Sequence, residues 1–239
     1  MTTSRKNNPT SSRKAKRIFT KKELKEMGGR TLDKVLEAID SGDKARATEL
    51  AQRMYKEFNY LHDGYFCWVT GLQTFIYRNY GLDVLEKAER EAHTTEAKIA
   101  FKPADKTDLR SRVEHLLAGV RGHLQNVVVD EDDDTVSITM KPCGSGKRLI
   151  QMGGYESGLA RAKEPHRITW GMKDFPLYCV HCPVMEMLSI EKSGNFSYVV
   201  VASDPVGRED CHFTFFKDPD KVPAAFYTRI GKKKPRSVR

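Results

Sequence analysis

Two of the chain's five cysteines fall within one ten-residue stretch, LYCVHCPVME, at residues 177–186. Cys179 and Cys182 flank His181 and offer two soft ligands from a single turn, half of what a tetrahedral zinc site requires. Cys143, in Pro142-Cys143-Gly144-Ser145-Gly146-Lys147-Arg148, supplies a third thiol, and His166 an imidazole for the fourth position. His181, Cys211 and His212 compete for that fourth place. Zinc is the expected group, although thiolates also bind iron and iron–sulfur centres. The same spacing reads as a redox dithiol or as buried structural thiols, but no βαβ pattern precedes it as a thioredoxin-like motif requires. Cys67, within Phe66-Cys67-Trp68-Val69, reads as a thiol packed among apolar side chains.

Proton carriers stand nearby in the sequence. If the chain is helical after Pro183, Glu186 shares a face with Cys182 and could relay protons to and from a metal-bound water. Its bland alternative is a first-turn glutamate favoured by the helix dipole. His181 serves as ligand or proton shuttle. His62, beside Asp63 in an otherwise apolar and aromatic run, is a base near neutral pH or a packed histidine bonded to a backbone carbonyl. Lys147 and Arg148 follow a glycine loop whose amides can cradle a carboxylate or phosphate. That loop is not a Walker A motif, because Lys141 and Arg148 occupy its glycine and Ser/Thr positions. Tyr65, Trp68 and Tyr155 offer aromatic surface to a substrate, whereas packing accounts for Trp170. His93, His115 and His123 read as helix-surface or core-edge residues. The expected function is metal-assisted hydrolysis or lysis of a small anionic molecule. The alternative is a zinc-stabilised binding or regulatory module, associated with nucleic acid through basic ends.

Positioning these residues takes two kinds of element. Thr20 suits the N-cap of a helix over KKELKEM that ends at Gly28-Gly29, and a second helix fits residues 31–39. Residues 44–80 repeat apolar side chains at helical spacing. Leu50, Met54, Phe58 and Leu61 mark one face, and Leu72, Phe75, Ile76 and Tyr80 continue it. Residues 61, 65, 68 and 72 share a face, with Gly64, Gly71 and Gly81 as places for a bend. Helices over 82–98 and 105–124 follow, the latter with Leu109, Val113, Leu116, Leu117, Val120 and Leu124 inward. The period then changes: 127–129 and 135–140 read as a hairpin around the acidic turn 131–134, with further strands at 197–202 and 211–216. A helix over 181–190, with Pro183 in its first turn, lies between the β regions. The fold class expected is α+β, an N-terminal helical layer packed with a small C-terminal antiparallel sheet. The divisions are a disordered basic tail over 1–17, a helical region over 18–125, a cysteine-rich α+β region over 126–230 and a basic tail over 231–239.

With 239 residues, 39% hydrophobic and 31% charged, the chain can bury a substantial core. No apolar run approaches the roughly 18 residues of a membrane span, so no membrane partner is expected. Its first residues lack the apolar segment of a secretory signal. An odd number of cysteines points away from a secreted disulfide framework and towards the cytoplasm. The net charge of +9 is concentrated between Arg5 and Lys25 and in the final GKKKPRSVR. Such ends can neutralise phosphates or simply keep a protein soluble. Oligomeric state is not readable, though the aromatic-rich helix is a surface a partner could use.

One resemblance adds to this reading. The stretch FNYLHDGYFCWVTGLQTFIYRNYGLDVLEKA, with Trp68 and Gly81, together with Cys182-Pro183 and Cys211-His212-Phe213, resembles the L-2-amino-thiazoline-4-carboxylic acid hydrolase-like family over residues 45–217. The resemblance implies a helical N-terminal part; a shared fold does not by itself fix the reaction. The chain is richer in cysteine than that family's pattern, at Cys143 and at Cys179-Val180-His181-Cys182, which implies a metal site the named hydrolase lacks.

Overall fold

The computed structural model describes residues 17–100, 108–193, 198–208 and 210–236. The N-terminal tail up to residue 16, residues 105–107 of the fifth expected helix, Ser197 and residues 237–239 lie outside them.

Thr20 starts helix α1 (Lys21–Gly28) as its sequence anticipates. Its hydroxyl accepts the Glu23 amide at 3.2 Å, while the Glu23 carboxylate accepts the Thr20 amide at 2.7 Å, a reciprocal capping box. Helix α2 (Thr31–Asp40) follows, then α3 (Lys44–Ile99). The chain divides into two compact units, Met1–Phe58 and Asn59–Arg239. In the first, Val35 and Ala38 of α2 and Leu50 of α3 form a small core, with Ala47 against it. The Thr31 hydroxyl donates to the Glu57 carboxylate at 2.7 Å.

In the second unit α3 breaks at Gly81, whose φ of 78° and ψ of −178° suit glycine alone. Before the break, Phe66, Thr70, Gln73 and Thr74 are buried, whereas Leu61, Tyr65, Trp68, Leu72 and Phe75 are exposed. The apolar stripe that marks the helix in the sequence therefore faces outward, and a largely polar face turns in. Gly64 and Gly71 interrupt the helix interior, where each weakens it by about 0.5–1 kcal/mol relative to alanine. A Cβ at either position would meet nothing within 4 Å. Helix α4 (Leu109–Arg121) is capped by Asp108, which accepts the amides of Arg110 and Ser111. It buries Val120. Leu124, expected inward, has left-handed backbone (φ 50°) that takes it off the helical period and leaves it 51% exposed.

The β elements are β1 (Asn126–Glu131), β2 (Thr135–Lys141), β3 (Arg161–Ala162), β4 (Phe175–Pro176), β5 (Val199–Val201) and β6 (Cys211–Phe216), with the short helix α5 (Gly146–Gln151) after β2. Helix α6 (His181–Ser193) precedes β5, and α7 (Ala224–Thr228) follows β6. The main sheet is antiparallel throughout, in the order β1-β2-β6-β5, and β3 pairs with β4 separately. The hairpin turn is closed by the Asp132 carboxylate, which accepts the amides of Asp134 and Thr135. The fold is thus α+β. Leu82, Leu85 and Val120 from helices share one core with Ile138 and Phe213 of the sheet and Val184 and Met187 of α6. Helical and β regions on either side of residue 125 therefore meet in a common interior. No helix among the described residues is long and apolar enough to cross a membrane.

Candidate functional site

Sheet register begins the site. In the β2–β6 ladder Met140 lies opposite Cys211, so the strand that ends just before Cys143 runs beside the start of the last strand. Cys143 follows in the loop to α5, with its sulfur 3.4 Å from the Ser145 hydroxyl. Cys179 lies in the 3-10 turn Leu177–Val180, and Cys182 in the first turn of α6. All five cysteines are free thiols; Cys143 and Cys179 are buried, Cys182 and Cys211 half-buried. Cys67 is exposed, contrary to the expectation of apolar packing. It stands on a face of α3 that the core does not cover.

Cys179, Cys182 and Cys211 each feel the neighbouring thiols. Burial pushes the Cys179 and Cys182 thiols well up, and the neighbouring sulfurs of Cys143 and Cys211 add to the effect. Burial, then Cys143, pushes Cys211 up to about 12. Gathering anionic sulfurs in a low-dielectric interior is unfavourable, so Cys179, Cys182 and Cys211 stay protonated until a cation offsets their charge. Among the described residues no three His, Cys, Asp or Glu side chains stand in a metal-holding arrangement. One of the thiols, that of Cys182, lies beside an imidazole lone pair.

That lone pair belongs to His181. Its Nδ1 lies 2.5 Å from the Tyr178 carbonyl, a contact that only a protonated Nδ1 can make favourably. Nε2 is then the unprotonated nitrogen, and it lies 3.4 Å from the Cys182 sulfur. Burial, followed by the nearby charge of His93, holds His181 below its ordinary pKa. His93 behaves oppositely. Burial would lower it, but the carboxylates of Glu89 and Glu96, at 3.5 and 3.0 Å, outweigh that and raise it to about 9. Gln73 donates to Glu89 at 3.0 Å. A charged imidazole on α3 thus stands behind a neutral one on α6, with ring centroids 6.2 Å apart.

On the other flank, His62 Nε2 and His123 Nδ1 share a hydrogen at 2.7 Å. Burial lowers both, His123 to about 4, so they form a neutral pair. Rings continue from His62 to Phe66 (3.9 Å between centroids), Phe66 to Tyr178 (5.1 Å) and Tyr178 to His181 (4.9 Å). The expected base His62 is therefore linked to the thiols through Phe66 and Tyr178 rather than directly.

The remaining candidates are placed as follows. Glu186 is fully buried, accepts the Trp170 indole at 2.8 Å and the Val200 amide, and pairs with Arg229 at 2.5 Å. Both carboxylate oxygens are engaged in holding α6, β5 and the segment after α7 together. His166 is engaged on both nitrogens, by Asp83 at 3.1 Å and by the Ile168 amide at 3.3 Å. Arg148 forms a two-pronged pair with Asp63 at 2.5 and 2.7 Å. Lys147 meets Asp210 more loosely, at 3.4 Å, and its charge acts on Cys211. Tyr155 lines a groove of about 450 Å³ with Arg78, Arg161 and Lys163, and its hydroxyl accepts the Tyr178 amide at 3.4 Å, next to Cys179. Tyr65 and Trp68 are on the exposed face of α3, and line a different groove with Gly64 and Met152.

The sequence gives Gln73 and Glu89 no role and reads His93 and His123 only as helix-surface or core-edge residues. The Glu89–His93 pair at i, i+4 on a helix is the signal that could have found two of them. Cys211, weighed there only for the fourth position, comes with the sheet register.

Gly146 shows how closely the loop approaches. A Cβ there would lie 2.7 Å from the Cys179 sulfur. Gly146→Ala is expected to destabilise the chain by about 1–3 kcal/mol, read by denaturant unfolding. Unchanged stability would mean that the thiol has room to move.

Compared with known proteins, the chain matches no family model and no curated sequence.

Proposed function

We propose that the chain is a metal-assisted hydrolase or lyase for a small anionic molecule, working at Cys143, Cys179, Cys182 and His181, with Cys211 adjoining. Zinc is the favoured ion and iron the alternative. The observation that carries the reading is the His181 geometry: Nδ1–H is held by a carbonyl, so Nε2 is presented unprotonated towards Cys182. This is the form in which an imidazole ligates a metal or accepts a proton. A soft metal ion bound by the thiols supplies a Lewis acid and a water of lowered pKa. The chain's own part is to hold the thiols, keep His181 neutral and position the substrate. Lys147 is suited to steady an anionic group by exchanging its loose Asp210 contact for the substrate. The groove beside Tyr155 and Arg161 offers an approach to the Cys179 side. Five free cysteines suit a reducing cytoplasm.

Burial of Cys143 and Cys179 favours a second reading, a closed structural metal centre in a binding or regulatory module. Nucleic acid remains a partner for that reading through the basic ends.

The test is elemental analysis of anaerobically purified chain, with alkylation mapped by mass spectrometry. About one zinc or iron per chain is expected, with Zn2+ protecting Cys143, Cys179 and Cys182 while exposed Cys67 still reacts. Cys179→Ala and Cys182→Ala should abolish both the metal and any turnover found in a screen of small carboxylates and phosphates. Metal-free protein whose turnover survives both replacements would sink the metal reading. Four protein ligands and no turnover would favour the closed centre.

A further inference from the structure

We infer that the exposed face of α3 between residues 61 and 75 is an interface with a second copy of this chain. Leu61, Tyr65, Trp68, Leu72 and Phe75 recur at alternating spacings of four and three, the 3.5-residue period of a helix–helix seam. They are 58%, 50%, 63%, 53% and 57% exposed, although over the same span the inward face buries one apolar side chain, Phe66, beside Thr70, Gln73 and Thr74. A lone soluble helix places its apolar stripe the other way round.

Gly64 and Gly71 provide an independent observation. They stand one heptad apart beside the stripe, weaken the helix, and border open space. Among the described residues nothing comes within 4 Å of a Cβ placed at either position. A second backbone passing close to the helix uses their lack of a side chain.

The occupant follows from self-complementarity. In an antiparallel pair the two kinds of seam position face each other. Leu61 then layers with Leu72 of the second copy, Tyr65 with Trp68, and Gly64 comes beside Gly71. Each contact occurs twice, as a two-fold interface requires. Five large side chains, each about half exposed, give roughly 500 Å² per copy and about 1,000 Å² for the pair, at the threshold of a specific interface.

Sedimentation velocity on the full chain from sub-micromolar to about 100 μM tests this. A concentration-dependent dimer is expected, with Trp68 emission moving to shorter wavelength as it forms; Trp170 is already buried. Trp68→Glu with Leu72→Glu should give a monomer that retains its circular dichroism and cooperative unfolding. Gly64→Ala with Gly71→Ala is the sharper variant. It should raise the melting temperature of the monomer while weakening the dimer at least tenfold. A wild-type monomer throughout, capture of a different protein by that monomer, or a dimer indifferent to both double variants would each overturn the inference.

Discussion

Glu186→Ala is expected to lower the free energy of unfolding by about 3–5 kcal/mol, the usual loss when one member of a buried ion pair is removed. Its carboxylate is fully buried and joins Arg229, the Trp170 indole and the Val200 amide. Burial pushes the Glu186 carboxyl up to about 7, although Arg229 and the hydrogen-bond donors pull the other way. Arg229 is itself enclosed, with its guanidinium 4.7 Å from the Trp170 ring and 4.5 Å from that of Phe226. Losing the carboxylate leaves that charge without its anion. Glu191 is the control. It pairs with Arg90 and Lys232 but is 35% exposed, and Glu191→Ala should cost only about 1 kcal/mol or less. Equal losses in denaturant titrations of the two variants would refute the role given to Glu186.

The second large effect is a pH dependence centred on His93. Its folded pKa, about 9, lies above the ordinary 6.5 because Glu89 and Glu96 outweigh burial. A raised folded pKa means that protonated His93 contributes stability in full below about pH 6.5. The contribution is lost as pH rises through about 9. On the order of 2–3 kcal/mol should disappear across that window. His93→Gln should be the less stable protein at pH 6, with the gap closing by pH 9.5. Parallel stability–pH curves for wild type and His93→Gln would exclude this assignment. Hydrogen-exchange NMR of the His181 imidazole provides a companion reading, because His93 lies beside it and its charge adds to burial in lowering the His181 pKa.

Several elements are legible locally because local chemistry decides them. Thr20 with Glu23 makes a capping box, Gly81 must end or bend a helix, and β-branched alternation around an acidic turn makes a hairpin. Pro183 fits the first turn of α6. The α+β class follows from where the helical period gives way to the period of two. The thiol region is partly legible for the same reason, since Cys179, His181 and Cys182 share one turn.

Other features depend on contacts across long stretches of chain. His166 has the right chemistry for a ligand, but the fold gives its nitrogens to Asp83 and Ile168. Glu186 shares a helix with Cys182, yet Arg229, forty-three residues on, claims it. Arg148 is claimed by Asp63, eighty-five residues away. Cys211 joins the other thiols through strand register, and His93 approaches His181 because α3 packs with α6.

The sequence alone determined the periodic elements, the α+β class and the clustering of soft ligands at Cys179 and Cys182, because each rests on spacing within a turn or two. Only the tertiary structure decided which way the long helix faces. Periodicity reveals an apolar stripe but not what lies on either side of it. Here the inward positions of α3 find polar partners and core contacts, while Leu61, Tyr65, Trp68, Leu72 and Phe75 turn outward.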